Sequence, residues 1–284
     1  MKYIILGHTN PDIDSIISGY LLEKLLKKLN YNVEFVIPDI VLDKEVIDVC
    51  NKYDINYKKC QRKLNDDDKY IILVDNYDRI VNGEVVAIID HHPTDKVFNI
   101  KNYYNTNISS TALYIVKNNY DYFDSNDIKL AILATMIDTV SFHSSKGTKE
   151  DYLWIKNECQ KKMFNFDELY NDGLYLTPLN TSIDKLSLNE LKTYHYVNGD
   201  IQSSCIKVKI INDRVDEIIN FLKDYQINNN MLYFIFIVYD MTNFKTKVYI
   251  INDNDIEIIN YDNYMSRGSV IIPDIIKKYH LQER

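Results

Sequence analysis

Three continuous apolar runs, Tyr3–Leu6, Tyr70–Val74 and Val85–Ile89, constrain the fold of this chain more than any other feature. Runs of this kind are the signature of parallel strands buried on both faces of a sheet. Each ends in residues suited to binding metals. The first leads into Gly7-His8-Thr9-Asn10-Pro11-Asp12-Ile13-Asp14-Ser15, the second into Asp75, and the third into Asp90-His91-His92. Open α/β sheets bind ligands at the carboxyl ends of their strands. Side by side in one parallel sheet, these three ends would bring their ligand-type side chains into one crevice.

Around these runs strand and helix alternate. Ser15–Leu29 reads as a helix with Asp14 or Ser15 as its N-cap, Val33–Ile37 as a strand, and Leu42–Tyr53 as a helix. Further helices are predicted at Ser110–Asn118, Ser125–Asp138 and Thr148–Lys161. The pattern is that of a doubly wound α/β domain. The polar segment Thr177–Ser182 reads as part of an interdomain linker. Beyond it, Ile206–Ile211, Met231–Tyr239 and Lys247–Ile251 read as strands and Val215–Tyr225 as a helix, which predicts a smaller mixed α/β domain. The expected domains span residues 1–180 and 187–284 and share a cleft.

Composition removes several function classes. A formal charge of −8 argues against a nucleic-acid binder that relies on a broad basic surface. It leaves room for a small anionic substrate, because bound cations invert the local field. Cys50, Cys60, Cys159 and Cys205 show no CxxC or zinc-like spacing and read as reduced thiols. No P-loop or GxGxxG occurs. No apolar run reaches membrane-span length and no signal-peptide pattern opens the chain, so a cytoplasmic location without a membrane partner is expected.

Taken singly, each polar strand end has a plain explanation. The first is a turn with a helix cap, Asp75 a polar strand terminus, and Asp90-His91-His92 an ordinary loop. Their joint occurrence favours a metal centre. Asp138, at the end of the apolar stretch Ile128–Ile137, adds a fourth source, because a carboxylate there is costly unless compensated. The set is rich in oxygen, includes imidazoles and lacks thiolate, which suits Mn²⁺, with Co²⁺, Mg²⁺ or Zn²⁺ also compatible. Five or more ligands exceed the need of one ion, so two ions about 3.5–4 Å apart, clamped by a shared carboxylate, are expected. That arrangement predicts metal-dependent hydrolysis of a phosphoester or phosphoanhydride.

These residues resemble the DHH phosphoesterase superfamily, named for the triplet seen here as Asp90-His91-His92. Within it the chain is similar to the family II, manganese-dependent inorganic pyrophosphatases over nearly its whole length. Gly7–Ser15, Leu73-Val74-Asp75, Ile89-Asp90-His91-His92 and Ile137-Asp138-Thr139 with Phe142 carry the resemblance, as does Ser109-Ser110-Thr111-Ala112 between them. It implies that His8, Asp12 and Asp75 hold one ion and Asp14, Asp75, His91 and Asp138 the other, with Asp75 bridging. It implies that His92 faces the substrate as a proton donor or hydrogen-bond partner, and that Asp90 orients the histidines. The implied reaction is hydrolysis of pyrophosphate to two phosphates by a metal-activated hydroxide, with a homodimer formed through the N-terminal domain.

The second half resembles the DHHA2 domain, which implies an active site in the interdomain cleft. Met265–Pro273 lies where pyrophosphatases carry Ser-Arg-Lys-Lys-Gln, making Arg267 the implied substrate arginine. Lys192 sits near the place of the substrate lysine when one gap is allowed; a solvated helix lysine is the other reading. Two departures stand out. Gly268 and Ser269 replace the lysines, and Asn76-Tyr77 replaces the usual His-Asn. Removing one charge-assisted hydrogen bond from a desolvated site costs ~1.5–3 kcal/mol. Lys245, Lys247 and His143 are candidates to compensate. The missing lysines leave open an exopolyphosphatase-like or nucleotide-cleaving phosphoesterase, and a metal-binding regulatory protein without catalysis is the reading from another class.

Overall fold

The computed structural model describes residues 1–38, 42–94, 96–100, 102–105, 107–209, 214–252 and 255–282. The chain divides into two compact units, Met1–Gly173 and Leu174–Arg284. The first contains strands β1 (Tyr3–Leu6), β2 (Val33–Val36), β3 (Tyr70–Val74), β4 (Glu84–Asp90) and β5 (Asn102–Asn105). Its helices are α1 (Ile13–Lys28), α2 (Lys44–Lys52), α3 (Thr111–Asn118), α4 (Ser125–Asp138), α5 (Lys149–Lys162) and α6 (Phe166–Leu174).

The five strands form a wholly parallel sheet in the order β2-β1-β3-β4-β5. The chain moves to one side of β1 to make β2 and to the other side to make β3. Such a reversal opens a crevice at the carboxyl ends of β1 and β3, the usual ligand position in this architecture. Helices α1, α3 and α4 pack on one another, and α1 lies against β1, β2 and β3. Elsewhere on the sheet, Ile4, Leu6, Ile71, Leu73 and Ile88 are covered by loop residues including Leu64, Tyr77, Val81, Phe98 and Ile100.

Helix α1 begins two residues earlier than expected because its cap is Asp12, not Asp14 or Ser15. The Asp12 carboxylate accepts the Ser15 amide at 2.9 Å, satisfying one of the donors that every helix start leaves open. Two glycines permit close approach here. A Cβ at Gly19 would lie 2.2 Å from the Phe35 ring, and one at Gly7 would lie 2.2 Å from Ser15 Oγ. Helix α4 starts with a capping box between Asp124 and Asp127, then buries Ile128 and Leu130–Met136.

The second unit holds α7 (Ile183–Ser187), β6 (Lys192–Tyr196), β7 (Gly199–Val208), α8 (Arg214–Asn228), β8 (Tyr233–Asp240), β9 (Lys245–Ile251), β10 (Ile256–Tyr261) and α9 (Ile272–Lys278). Its sheet runs β10-β9-β8-β7-β6, with β7 and β8 parallel and the other pairs antiparallel. Phe234, Phe236 and Val238 of β8 meet Ile218 and Leu222 of α8 in its core.

Three expectations change. Thr177–Ser182 belongs to the second unit: Thr177 exchanges 2.9 Å bonds with Lys207, and Arg214 donates to the Leu179 and Thr181 carbonyls at 3.2 and 3.0 Å. Lys192 opens a strand, so it is not a helix lysine. The strand expected at Ile206–Ile211 begins earlier, at Gly199, while its Ile210 and Ile211 lie outside the described residues. No helix among the described residues is long and apolar enough to cross a membrane.

Candidate metal centre

The site is built on the ends of β1, β3 and β4. Beyond β1, the His8 amide donates to Ser15 Oγ at 2.7 Å, which ties the loop to the first turn of α1. Arg79 donates to the Gly7 and His8 carbonyls at 2.7 and 2.6 Å. Asn76 accepts the Arg79 amide at 3.3 Å and donates to the Val74 carbonyl at 3.0 Å. Asn76, where the resemblance would place a histidine, therefore helps to fix the loop.

Asp75 follows β3 in a left-handed conformation, φ 59°. Among side-chain-bearing residues, Asp and Asn tolerate this region best. Its amide donates to the Ile89 carbonyl at 2.8 Å, and Thr111 Oγ1 donates to its Oδ1 at 2.9 Å. The side chain is thereby aimed from a held backbone.

Two groups of potential ligands form around it. His8, Asp75 and His92 make one, and Asp14, Asp75 and His91 the other, with the ligand atoms of each within 4.8 Å of one another. His8 Nε2 lies 3.4 Å from Asp75 Oδ2. His91 Nε2 lies 3.5 Å from Asp75 Oδ1, 3.5 Å from Asp138 Oδ2 and 3.7 Å from Asp14 Oδ2. His8 Nε2, Asp75 Oδ2, His91 Nε2 and Asp138 Oδ2 are all buried without a hydrogen-bond partner. Buried polar atoms are rarely left so, and here they converge. The donor set therefore fits divalent cations of the hard to borderline kind.

Charge supports the same conclusion. Burial, then the neighbouring carboxylates of Asp14, Asp12 and Asp138, push Asp75 well above the usual carboxylate range. Burial also raises Asp14, against the opposing pull of His91. Such mutual repulsion is what a bound cation relieves. His91 Nδ1 meets the Ile108 carbonyl, which can only accept, at 3.2 Å, and this contact turns Nε2 toward the carboxylates of Asp14, Asp75 and Asp138. Asp90 Oδ1 accepts both the His91 amide (2.8 Å) and His92 Nδ1 (2.8 Å). Burial works against this pair, yet the bond to His92 holds Asp90 below the usual range, and Asp90 raises His92.

The sequence reading placed Asp14 among the ligands but missed its second task. Its carboxylate accepts the Thr111 and Ala112 amides at 2.8 and 3.0 Å, so it also caps α3. Asp12 lies outside both ligand groups and spends Oδ1 on the cap of α1. Lys146, unforeseen, places Nζ 2.5 Å from Asp138 Oδ1. Burial would lower this lysine, but Asp138, followed by Asp12 and Asp75, raises it. Arg79 and Lys146 gave no signal in sequence, whereas Ser15 closes the motif Gly7–Ser15 and Thr111 lies in the small-residue motif Ser109-Ser110-Thr111-Ala112.

In the second unit, Arg267 exposes 10% of its side chain and donates to the Glu190 carbonyl at 2.6 Å. Lys192 is exposed at the start of β6. The three compensating candidates have other contacts: Lys245 pairs with Asp262, Lys247 lies over the Tyr249 ring, and His143 meets the Tyr170 hydroxyl.

Known proteins are similar to this chain in sequence and fold. A manganese-dependent inorganic pyrophosphatase of Methanocaldococcus jannaschii is 23% identical, over 99% of this chain and 100% of that protein. A probable manganese-dependent inorganic pyrophosphatase of Listeria monocytogenes serotype 4a is 24% identical, over 75% of this chain and 72% of that protein. A Methanococcus jannaschii crystal structure assigned to the family II inorganic pyrophosphatases covers 99% of this chain and 100% of its own, at 20% identity and a TM-score of 0.69. An exopolyphosphatase-related protein of Bacteroides fragilis covers 98% of this chain and 92% of its own, at 19% identity and a TM-score of 0.50. Both structures share the two-domain α/β fold. The family described as DHH family, N-terminal domain, matches residues 2–138, and this part of the chain is a DHH domain.

Proposed function

We propose that this chain is a metal-dependent hydrolase of phosphoanhydrides and that its substrate is inorganic pyrophosphate. The observation that carries the reading is Asp75, held in a left-handed turn and common to both ligand groups. His8, Asp12 and Asp75 would hold one divalent cation, and Asp14, Asp75, His91 and Asp138 a second. The names of the relatives favour manganese. Two such cations, when bound, supply a water of lowered pKa and Lewis-acid stabilisation of phosphoryl oxygens.

The remaining tasks fall to the chain itself. Asp90 accepts from His92 Nδ1 and raises this imidazole, so that in its protonated form His92 would donate the proton on its other ring nitrogen to a leaving phosphate. Thr111 fixes the Asp75 carboxylate and Arg79 fixes the His8 loop, so both are preorganised. Arg267 and Lys192 would supply positive charge to phosphoryl oxygens.

Phosphate release in the presence of Mn²⁺ tests the reading. Turnover is expected with pyrophosphate; none, with clear turnover of tripolyphosphate, a cyclic dinucleotide or an oligonucleotide, would sink it. Gly268 and Ser269 favour a second reading, an exopolyphosphatase-like enzyme, in which tripolyphosphate is cleaved faster than pyrophosphate.

A further inference from the structure

The segment joining α4 to α5 turns sharply after Asp138. Val140, Ser141 and Phe142 are all left-handed, at φ 50°, 51° and 66°. That region is costly for residues with a side chain, most of all a β-branched one, and persists only where the surroundings fix it. Here they do. The Ser141 amide donates to the Met136 carbonyl at 2.6 Å, the Phe142 amide to Thr139 Oγ1 at 3.0 Å and the Ser144 amide to the Thr139 carbonyl at 2.9 Å. Downstream, the Thr148 amide donates to Ser109 Oγ at 2.9 Å. Gly147 packs so closely on Phe142 that a Cβ there would lie 2.7 Å from the ring. The turn carries Lys146 back to Asp138, eight residues earlier, where Nζ donates to Oδ1 at 2.5 Å.

Asp138 Oδ2 is left buried, without a hydrogen-bond partner, 3.5 Å from His91 Nε2. The other acids around His91 are divided in the same way. Asp14 Oδ1 accepts the Ala112 amide at 3.0 Å and the Ser18 hydroxyl at 3.3 Å, and it is Oδ2 that lies 3.7 Å from His91 Nε2. Asp75 turns Oδ1 toward His91 and Oδ2 toward His8, at 3.5 and 3.4 Å. Each acid therefore presents a single oxygen to the space beside His91. Donors of α1 and α3 hold Asp14 and Asp75, whereas Asp138 depends on one long lysine.

Cations differ in how they use such a set. Ca²⁺ gathers about 6–8 oxygens and takes carboxylates through one oxygen or both, while Mg²⁺ and Mn²⁺ favour octahedral sites with fewer. We infer that Lys146 is a positioning residue that sets metal selectivity: by holding Asp138 Oδ1 it makes this acid a one-oxygen ligand and disfavours Ca²⁺ beside His91. Its charge repels every divalent cation alike, so its signature is the preference between ions and not the affinity for one. The inference rests on the metal centre of the proposed function and is independent of the substrate.

Calorimetric titration of the metal-free full chain with Mn²⁺ and, separately, with Ca²⁺ gives the ratio of the two dissociation constants. In Lys146→Met, a side chain of similar length without charge or donor, Ca²⁺ affinity should gain about tenfold more than Mn²⁺ affinity. Lys146→Ala leaves Oδ1 equally unheld; it should shift the ratio in the same direction and serves where methionine is not tolerated. An unchanged ratio, even with both ions bound more tightly, would show that the lysine contributes charge alone and would overturn the inference. A ratio shifted toward Mn²⁺ would overturn it too. A parent chain that binds neither ion would sink the metal centre together with this inference, whereas an unchanged ratio in a chain that binds Mn²⁺ sinks this inference alone.

Discussion

Asp75 is the residue on which the proposed chemistry turns, and its backbone makes a clean experiment possible. Asn tolerates the left-handed region as well as Asp does, so Asp75→Asn keeps the turn at φ 59° while removing the charge common to both ligand groups. Phosphate release should fall by roughly a thousandfold or more. The metal-free variant should melt no lower than the parent, since it loses repulsion with Asp14, Asp12 and Asp138. Unchanged turnover would refute the two-metal scheme. Gly268→Lys probes the opposite end of the problem. A Cβ at Gly268 meets nothing within 4 Å, so the lysine fits, and KM for pyrophosphate should fall several-fold if positive charge is limiting there. Most of the site was legible at this scale, because His8, Asp14, Asp75, His91 and His92 directly follow apolar strands or open the next helix. Arg79 and Lys146 were not. They reach the site from loops whose course is set by tertiary packing, and nothing local marks them.

Among the elements, β1, β3 and β4 were readable because strands buried on both faces need continuous apolar residues. The edge strands β5, with Asn102 and Asn105 at its ends, β6 and β10 carry no such signal and went unread, whereas the edge strand β2 was legible from Val33, Phe35 and Val36. The other edge of the parallel sheet has a pH-sensitive fastening. Arg62 binds Glu34 of β2 in bidentate fashion at 2.9 and 2.8 Å and also holds Asp68 at 2.7 Å. Those bonds to Arg62, aided by Lys2, bring Glu34 down from 4.5 to about 2. A lowered carboxyl stabilises the fold fully above its unfolded value and ceases to do so as pH falls through the folded one. The contribution should therefore fade between 4.5 and about 2. Glu34 is about a third exposed, so the effect is discounted to about 1 kcal/mol or less. Urea melts across that window should show a shallower acid slope for Arg62→Gln; an identical slope would remove Glu34 from the explanation.

For the whole molecule, every proposed metal ligand falls within Met1–Gly173. Metal removal should then act on one unit. Saturating Mn²⁺ at about a hundred times its Kd stabilises the binding unit by about 2.7 kcal/mol. Calorimetry should show the first unit melting earlier in chelator and the second unmoved; a parallel shift of both would contradict the assignment. The two-unit α/β plan was legible in sequence, but the boundary was not. Polarity suggested a linker at Thr177–Ser182, whereas the contacts of Thr177 and Arg214 attach that segment to the second unit.

The double duty proposed for Asp14, metal ligand and partner of two α3 amides, bears on how this protein can change over time. A ligand that only binds metal can be traded for histidine or glutamate as the preferred ion shifts. Asp14 must also span the short gap to the Thr111 and Ala112 amides, a reach that suits a side chain of this length and charge. Exchanging it would unsettle the start of α3 together with Thr111, the partner of Asp75. Adaptation to a new metal or substrate thus has little freedom at this position. It has far more at solvent-facing positions such as Gly268, where a mutation meets empty space.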